Sequence, residues 1–283
     1  MTGDQDHHYV PIFFQKAWCD ARGKLMVYSR KNGRVVASPL APLSTGYEPN
    51  LYSLDKTLPE YKHYIETEFM TPKIDTPAAT VVKKIREGSF ESLTSADRCD
   101  FARFLLSLRA RHPTAVALAK NKGRDELLKH LARDPEEYTA VKGDAAVTTL
   151  TEWTQQKLPQ LVENFGLWNL PALIVNDTIT KRVWAMPWWI HDVRGATVDL
   201  LLSDRPCLIQ GSAVEGECLI ILPVSPKLLF FACNQAKVTV QIRTAEPTSL
   251  VKSVNRISVS SAAARVFGTG SQHLALVEKC LAA

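Results

Sequence analysis

Leu219-Ile220-Ile221-Leu222 and Leu228-Leu229-Phe230-Phe231-Ala232 are two uninterrupted apolar runs of strand length, parted by a stretch containing Ser225-Pro226. Runs this short suit strands of a buried sheet and fall well below the roughly 18 residues that a membrane span needs. Working outward, the predicted strands are Val183–Trp189, Val198–Leu202, Glu217–Leu222, Leu228–Cys233 and Lys237–Ile242. Tight connections at Arg194-Gly195 and Ser225-Pro226 predict an antiparallel meander within 171–245.

Upstream the period changes. Over 59–170 helices are predicted: Tyr61, Tyr64, Ile65 and Phe69 recur at helical spacing, and Pro72 and Pro77 predict a break or kink before Ala78–Glu87. Thr94-Ser95-Ala96-Asp97 resembles a capping box and opens a helix with Phe101, Phe104, Leu105 and Leu108 on one face, closed by Pro113. Further breaks are predicted at Asp134-Pro135 and Gly143. Residues 1–58 hold a hairpin signal, Leu25–Tyr28 and Val35-Val36 about Asn32-Gly33, whose turn residues accept positive φ. Residues 246–283 are read as helices, at 248–257, 260–267 and after Gly270. Segregated elements of this kind predict an α+β class: a single large domain, 1–283, with a helical N-terminal half packed on one face of a C-terminal antiparallel sheet and the last helices close by.

The chain has 283 residues, 46% hydrophobic and 22% charged, with a formal net charge of +5, which is enough for a sizeable core and permits an anionic partner. No Lys/Arg run exceeds two residues, so the basic charge is spread. The six cysteines never approach C-x-x-C spacing, which argues against a zinc knuckle or a redox pair. The first residues do not resemble a signal peptide, so reduced thiols, a cytoplasmic location and no membrane partner are expected. H-E-x-x-H, the P-loop and G-x-S-x-G motifs are missing, and Gly268-Thr269-Gly270 is too short for a dinucleotide loop. Trp184, Trp188 and Trp189 read as core rather than as a base-stacking platform.

A polar set stands out against this background. His7-His8-Tyr9-Val10-Pro11-Ile12-Phe13-Phe14 places two imidazoles just before an aromatic anchor that continues to Trp18. Glu68 and Asp75 are seven apart, two turns of a continuous α-helix, and so share a face. Arg109 falls beside the apolar face of its helix, and Asp204 ends a hydrophobic strand in Ser203-Asp204-Arg205-Pro206. Two His and three carboxylates, His7, His8, Glu68, Asp75 and Asp204, are the donor types that a divalent Mg, Mn or Zn ion takes, and such an ion activates water. Each feature also has a structural reading. The His pair can cap a loop, Glu68 can form a buried ion pair with Arg109, Asp204 can be a turn residue, and Asn255 can satisfy buried carbonyls.

These residues resemble the bacterial family known as domain of unknown function 4238, whose members begin His-His-Tyr-Val-Pro before an aromatic helix. The resemblance runs from His7–Phe14 through Lys73-Ile74-Asp75, Val82-Lys83-Lys84-Ile85, Arg109 and Arg111. It continues through Leu202–Pro206 and Leu222–Pro226 to Asn255 and Ala263–Val266. Asp75 stands where the family usually has Glu, and Arg205 where it often has Asn. The resemblance implies a bacterial or phage-related origin, a shared polar site and a mobile-element or defence setting, which points towards nucleic acid or another phosphate ligand. Two functions are therefore expected. One is a metal-dependent phosphodiesterase or nuclease, with His7, His8, Asp204 and Arg109 as catalytic groups and Arg111, Arg205 and Asn255 on the substrate. The other is a non-catalytic ligand-binding or sensor module using the same cleft. A purely structural network is the third possibility. The N-terminal segment is expected to lie against the body and bring His7 and His8 near the strand end at Asp204, which the site hypothesis requires.

Overall fold

In the computed structural model, which describes residues 3–133, 135–141, 149–212 and 216–282, the strands in chain order are β1 (Asp6–His8), β2 (Leu25–Lys31), β3 (Arg34–Leu40), β4 (Tyr47–Pro49), β5 (Trp188–Asp192), β6 (Leu202–Ser203), β7 (Leu208–Gly211), β8 (Cys218–Ser225), β9 (Leu228–Cys233) and β10 (Arg265–Gly268). The two apolar runs become β8 and β9, at the centre of an antiparallel sheet ordered β5-β9-β8-β7. They lack polar alternation because both faces are covered. Ile220, Leu222 and Phe230 face the helical half, where Phe230 meets Phe101 at 4.9 Å and Trp188 at 5.2 Å between ring centroids. Leu219, Ile221, Leu229 and Phe231 face the C-terminal part and pack with Leu250, Val251 and Val254 of helix Pro247–Ser261. Each such side chain contributes about 1.5–3 kcal/mol on burial. The α+β class holds, and the last helices cover the second face of the sheet.

The hairpin forms where Asn32-Gly33 predicts it. Lys31 pairs with Arg34, and the two turn residues have φ of 49° and 80°. It belongs to a second sheet, ordered β3-β2-β10-β6. Here the expected helix over 260–267 is corrected: helix Pro247–Ser261 runs unbroken, and β10 then pairs with both β2 and β6. Val198–Leu202 is corrected likewise, with only Leu202–Ser203 in a strand. Lys237–Ile242 lies in a helix, Ala236–Arg243, because Val238 and Ile242, four apart, both pack on the sheet while Val240 is exposed. The strand predicted from Val183 starts at Trp188, after a helix spanning Asp177–Ala185.

In the helical half, Thr94 and Asp97 make the reciprocal capping box, and helix Ser95–Ala110 buries Phe101, Phe104, Leu105 and Leu108. Helix Pro113–Leu131 follows and crosses helix Pro159–Trp168 so closely that a Cβ on Gly166 would lie 2.1 Å from the Ala119 carbonyl oxygen. The breaks expected at Asp134 and Gly143 lie outside the described residues. The break expected at Pro72 does not occur. Residues Ile65–Asp75 form a π-helix that contains Pro72 and passes directly into helix Thr76–Arg86. Its wider winding relieves the clash that a proline ring makes with the carbonyl four residues back in an α-helix.

The N-terminal segment is anchored as its aromatic content predicts. Phe14 and Trp18 are buried, Trp18 Nε1 donates to the Leu200 carbonyl (2.8 Å), and Arg86 donates to the carbonyls of Phe13, Phe14 and Val224. All six cysteines are free. Among the described residues no helix is long and apolar enough to cross a membrane.

Candidate functional site

Short strand β1 pairs with β4, setting His7 opposite Glu48 and His8 opposite Tyr47. His7 is fully buried. Its ring stacks on Tyr52 at 4.5 Å, its Nδ1 accepts the Tyr52 backbone N–H (3.3 Å), and His63 stands edge-on at 5.5 Å. Burial, and then the neighbouring His63, hold the His7 pKa down at about 4, so the ring is neutral at neutral pH. Burial likewise drives the Tyr52 hydroxyl well above its ordinary value, and that hydroxyl donates to Glu66 Oε2 (2.8 Å).

The π-helix supplies the carboxylates of this polar centre. Its i→i+5 winding stacks Thr71 on Glu66, so that Thr71 Oγ1 donates to Glu66 Oε1 (3.1 Å), and it ends with Asp75 beside Arg111. Arg111 makes a bidentate pair with Asp75, Nη1 to Oδ2 at 3.1 Å and Nη2 to Oδ1 at 2.7 Å, and also donates to Ser107 Oγ. The arginine side chain is 0% exposed and the Asp75 side chain 21%. Burial raises the Asp75 carboxyl pKa against the opposing pull of Arg111, with His8 close enough to add a smaller lowering influence.

The structure thus brings His7, His8, Asp75 and Arg111 into one region, together with Tyr52 and Glu66, which sequence reasoning missed. It leaves the other predicted residues elsewhere. Glu68 is exposed, because a π-helix does not keep α-helical seven-residue spacing on one face. The expected Glu68–Arg109 ion pair is replaced by Asp75–Arg111. Asp204 is buried, and its carboxylate accepts the backbone N–H groups of Ala263, Ala264 and Arg265 at 2.7–2.8 Å, fixing the chain as it enters β10. Asn255 is buried too, accepting from Leu201 N and donating to the Asp199 carbonyl, both at 2.8 Å. Its place is structural, not open to substrate.

These contacts decide how well the predicted metal donors fit an ion. Both oxygens of Asp75 meet Arg111, both oxygens of Asp204 meet backbone amides, and both oxygens of Glu66 meet hydroxyls. The Nε2 atoms of His7 and His8 are buried without a protein partner, yet two imidazoles without an available carboxylate do not complete the expected mixed shell. Among the described residues no three His, Cys, Asp or Glu side chains form a group suited to a metal ion.

Arg109 and Arg205 meet at a different place, a groove of about 1270 Å³ between the start of helix Pro113–Leu131, strand β7 and the end of helix Pro247–Ser261. Both arginines are exposed, and neither is in an ion pair among the described residues. Arg205 Nη2 donates to Thr114 Oγ1 (3.1 Å), and that hydroxyl lies 2.8 Å from His112 Nδ1, which also accepts the Thr114 backbone N–H. Accepting there requires Nδ1 to carry no proton, and burial holds the His112 pKa below the ordinary histidine value. Among the described residues the groove lining contains no Asp or Glu. Tyr9 connects the two regions: its ring stands 5.6 Å from that of His112, and its hydroxyl accepts from Arg265 (3.1 Å), next to the amides held by Asp204.

Residues 6–271 match the model of the family described as a protein of unknown function (DUF4238). No curated protein and no solved structure matches the chain.

Proposed function

This chain belongs to the DUF4238 family, and we propose that it is a binding module that holds a phosphate-bearing ligand in the groove edged by Arg109 and Arg205. One observation carries the reading: two exposed guanidinium groups line a groove in which the described residues supply no carboxylate to neutralise them. Desolvated on one side and unopposed, they attract an anion, and the planar guanidinium offers paired donors to phosphate oxygens. The Thr114 hydroxyl is already oriented by His112 and gives the ligand a further polar neighbour.

The test is calorimetric titration with pyrophosphate, a mixed-sequence oligonucleotide and decyl phosphate, on the wild type and on the Arg109→Gln/Arg205→Gln double variant. At least one probe should bind, and the double variant should weaken it at least about tenfold, the loss of one to two charge-assisted contacts. If no probe distinguishes the two proteins, the reading fails. The other expectation, a metal-dependent phosphodiesterase or nuclease, has less support because the candidate carboxylates are engaged by protein donors. It calls for a thermal shift with Mn²⁺, Mg²⁺ or Zn²⁺, about 2.7 kcal/mol at one hundred times the dissociation constant.

A further inference from the structure

The walls of this groove narrow the ligand class, and the inference rests on the anion-binding reading above. Beyond Arg109, His112, Thr114 and Arg205, and the uncharged Gln210, Ser260 and Ser261, much of the lining is aliphatic: Leu208 and Ile209 come from β7, Leu219 and Ile221 from β8, and Leu118 and Ile257 from the two helices. Leu118 and Ile257 are 54% and 49% exposed, which is unusual for large apolar side chains beside two charged ones. Among the described residues no Phe, Tyr or Trp lines the groove. A site for single-stranded nucleic acid stacks bases on aromatic rings, and this one offers none. A site for a small inorganic anion has no use for six aliphatic side chains. We infer that the occupant is a single-chain anionic amphiphile, an alkyl or acyl phosphate whose head meets Arg109 and Arg205 and whose chain lies on Leu118, Ile257 and the side chains of β7 and β8.

Three of the polar residues are joined to one another, Arg205 to Thr114 to His112, and Arg109 lines the same groove, so the head is placed at that end. The chain then removes from water the apolar surface that the fold leaves open. Burial of a methylene is worth about 0.8 kcal/mol, so even one-third burial of four added methylenes strengthens binding roughly sixfold.

The experiment titrates the full-length protein with hexyl and decyl phosphate below their aggregation thresholds, beside pyrophosphate, a mixed-sequence oligonucleotide and an acidic peptide. Decyl phosphate is expected to bind at least about fivefold tighter than hexyl phosphate. Leu118→Asn and Ile257→Asn, both at exposed positions, should abolish that chain-length gain while leaving any pyrophosphate binding unchanged. Equal affinities for the two alkyl phosphates would overturn the inference. So would an oligonucleotide or acidic peptide that binds through Arg109 and Arg205 when decyl phosphate does not, and either result would leave the anion groove standing. If no probe responds to the double arginine variant, the anion-binding reading itself fails. A chain-length gain that survives both Asn variants places the amphiphile elsewhere and also overturns the inference.

Discussion

Arg109 and Arg111 sit two residues apart at the end of one helix and enter opposite environments. Arg111 turns into the polar centre under β1, where Asp75 and Ser107 accept from its two Nη atoms, its Nε is left without a partner, and no part of the side chain reaches water. Arg109 turns outward into the groove, with no carboxylate around it among the described residues of the lining. The polar centre has its carboxylates paired with its own guanidinium and hydroxyl groups, so its charges fasten the π-helix to helix Ser95–Ala110 and to Tyr52, on which His7 of β1 stacks. Among the described residues the groove has cations without acids, beside Leu118 and Ile257, whose side chains are exposed. Internal pairing marks a fastening, and unmatched charge beside exposed apolar surface marks a place for something else.

The sharpest way to break this contrast is to remove Arg111. Arg111→Ala strands Asp75, a largely buried carboxylate, and removing one member of a buried pair costs about 3–5 kcal/mol. Urea unfolding should show that loss, whereas replacing both partners with apolar residues of similar size should cost markedly less. If Arg111→Ala left stability unchanged, the centre would not be a fastening.

Next in size is Asp204→Ala. This carboxylate carries three backbone hydrogen bonds at the turn into β10. Hydrogen bonds to a charged group contribute about 1.5–3 kcal/mol, so a stability loss in that range is expected, with ligand affinity in the groove preserved when the variant is measured well below its melting point. A loss of affinity without a loss of stability would move Asp204 into the binding site.

The third effect depends on pH. His7 has a pKa of about 4 in the folded protein against an ordinary value of 6.5, so between those values the unfolded chain binds more protons. Stability therefore rises with pH across this window, and it falls as the solution is acidified from 6.5 towards 4. Burial holds Asp75 above its ordinary 3.8, which acts in the opposite sense at the acid end. Comparing urea midpoints at pH 7 and pH 5 for the wild type and His7→Gln isolates the imidazole, and the variant should show the smaller drop.

Much of the fold was legible because local and tertiary preferences agree there. Asn32-Gly33 demands a tight turn, Thr94 and Asp97 cap a helix, and the runs in β8 and β9 suit a sheet covered on both faces. The reading failed where one pattern serves two periods. Val238 and Ile242 are two steps apart in a strand and one turn apart in a helix, and packing on the sheet selects the helix. The π-helix hid Glu66 in the same manner, since α-helical spacing pairs Asp75 with Glu68 instead. Arg111 was more accessible to sequence reasoning. It lies three after Leu108 and seven after Phe104, the same face that buries both, whereas Arg109 stands at the edge of that face. The groove assembles from three segments far apart in the chain, and no spacing in the sequence announces it.

The smallest stability effect belongs to the groove, and it separates the two regions most cleanly. Arg109→Gln and Arg205→Gln each remove an exposed cation that pairs with no carboxylate among the described residues, so each should change unfolding free energy by no more than about 0.5 kcal/mol. Arg205 also gives up its hydrogen bond to Thr114, but that hydroxyl keeps His112 as a partner and is itself exposed, so no buried group is stranded. Binding should respond differently. Contacts between guanidinium and phosphate weaken as salt screens them, so wild-type affinity for the alkyl phosphate head should fall between low and physiological ionic strength, and the double variant should show a flatter dependence. Equal stability with reduced, salt-insensitive affinity is the outcome that distinguishes cations held ready for a ligand from cations that hold the fold.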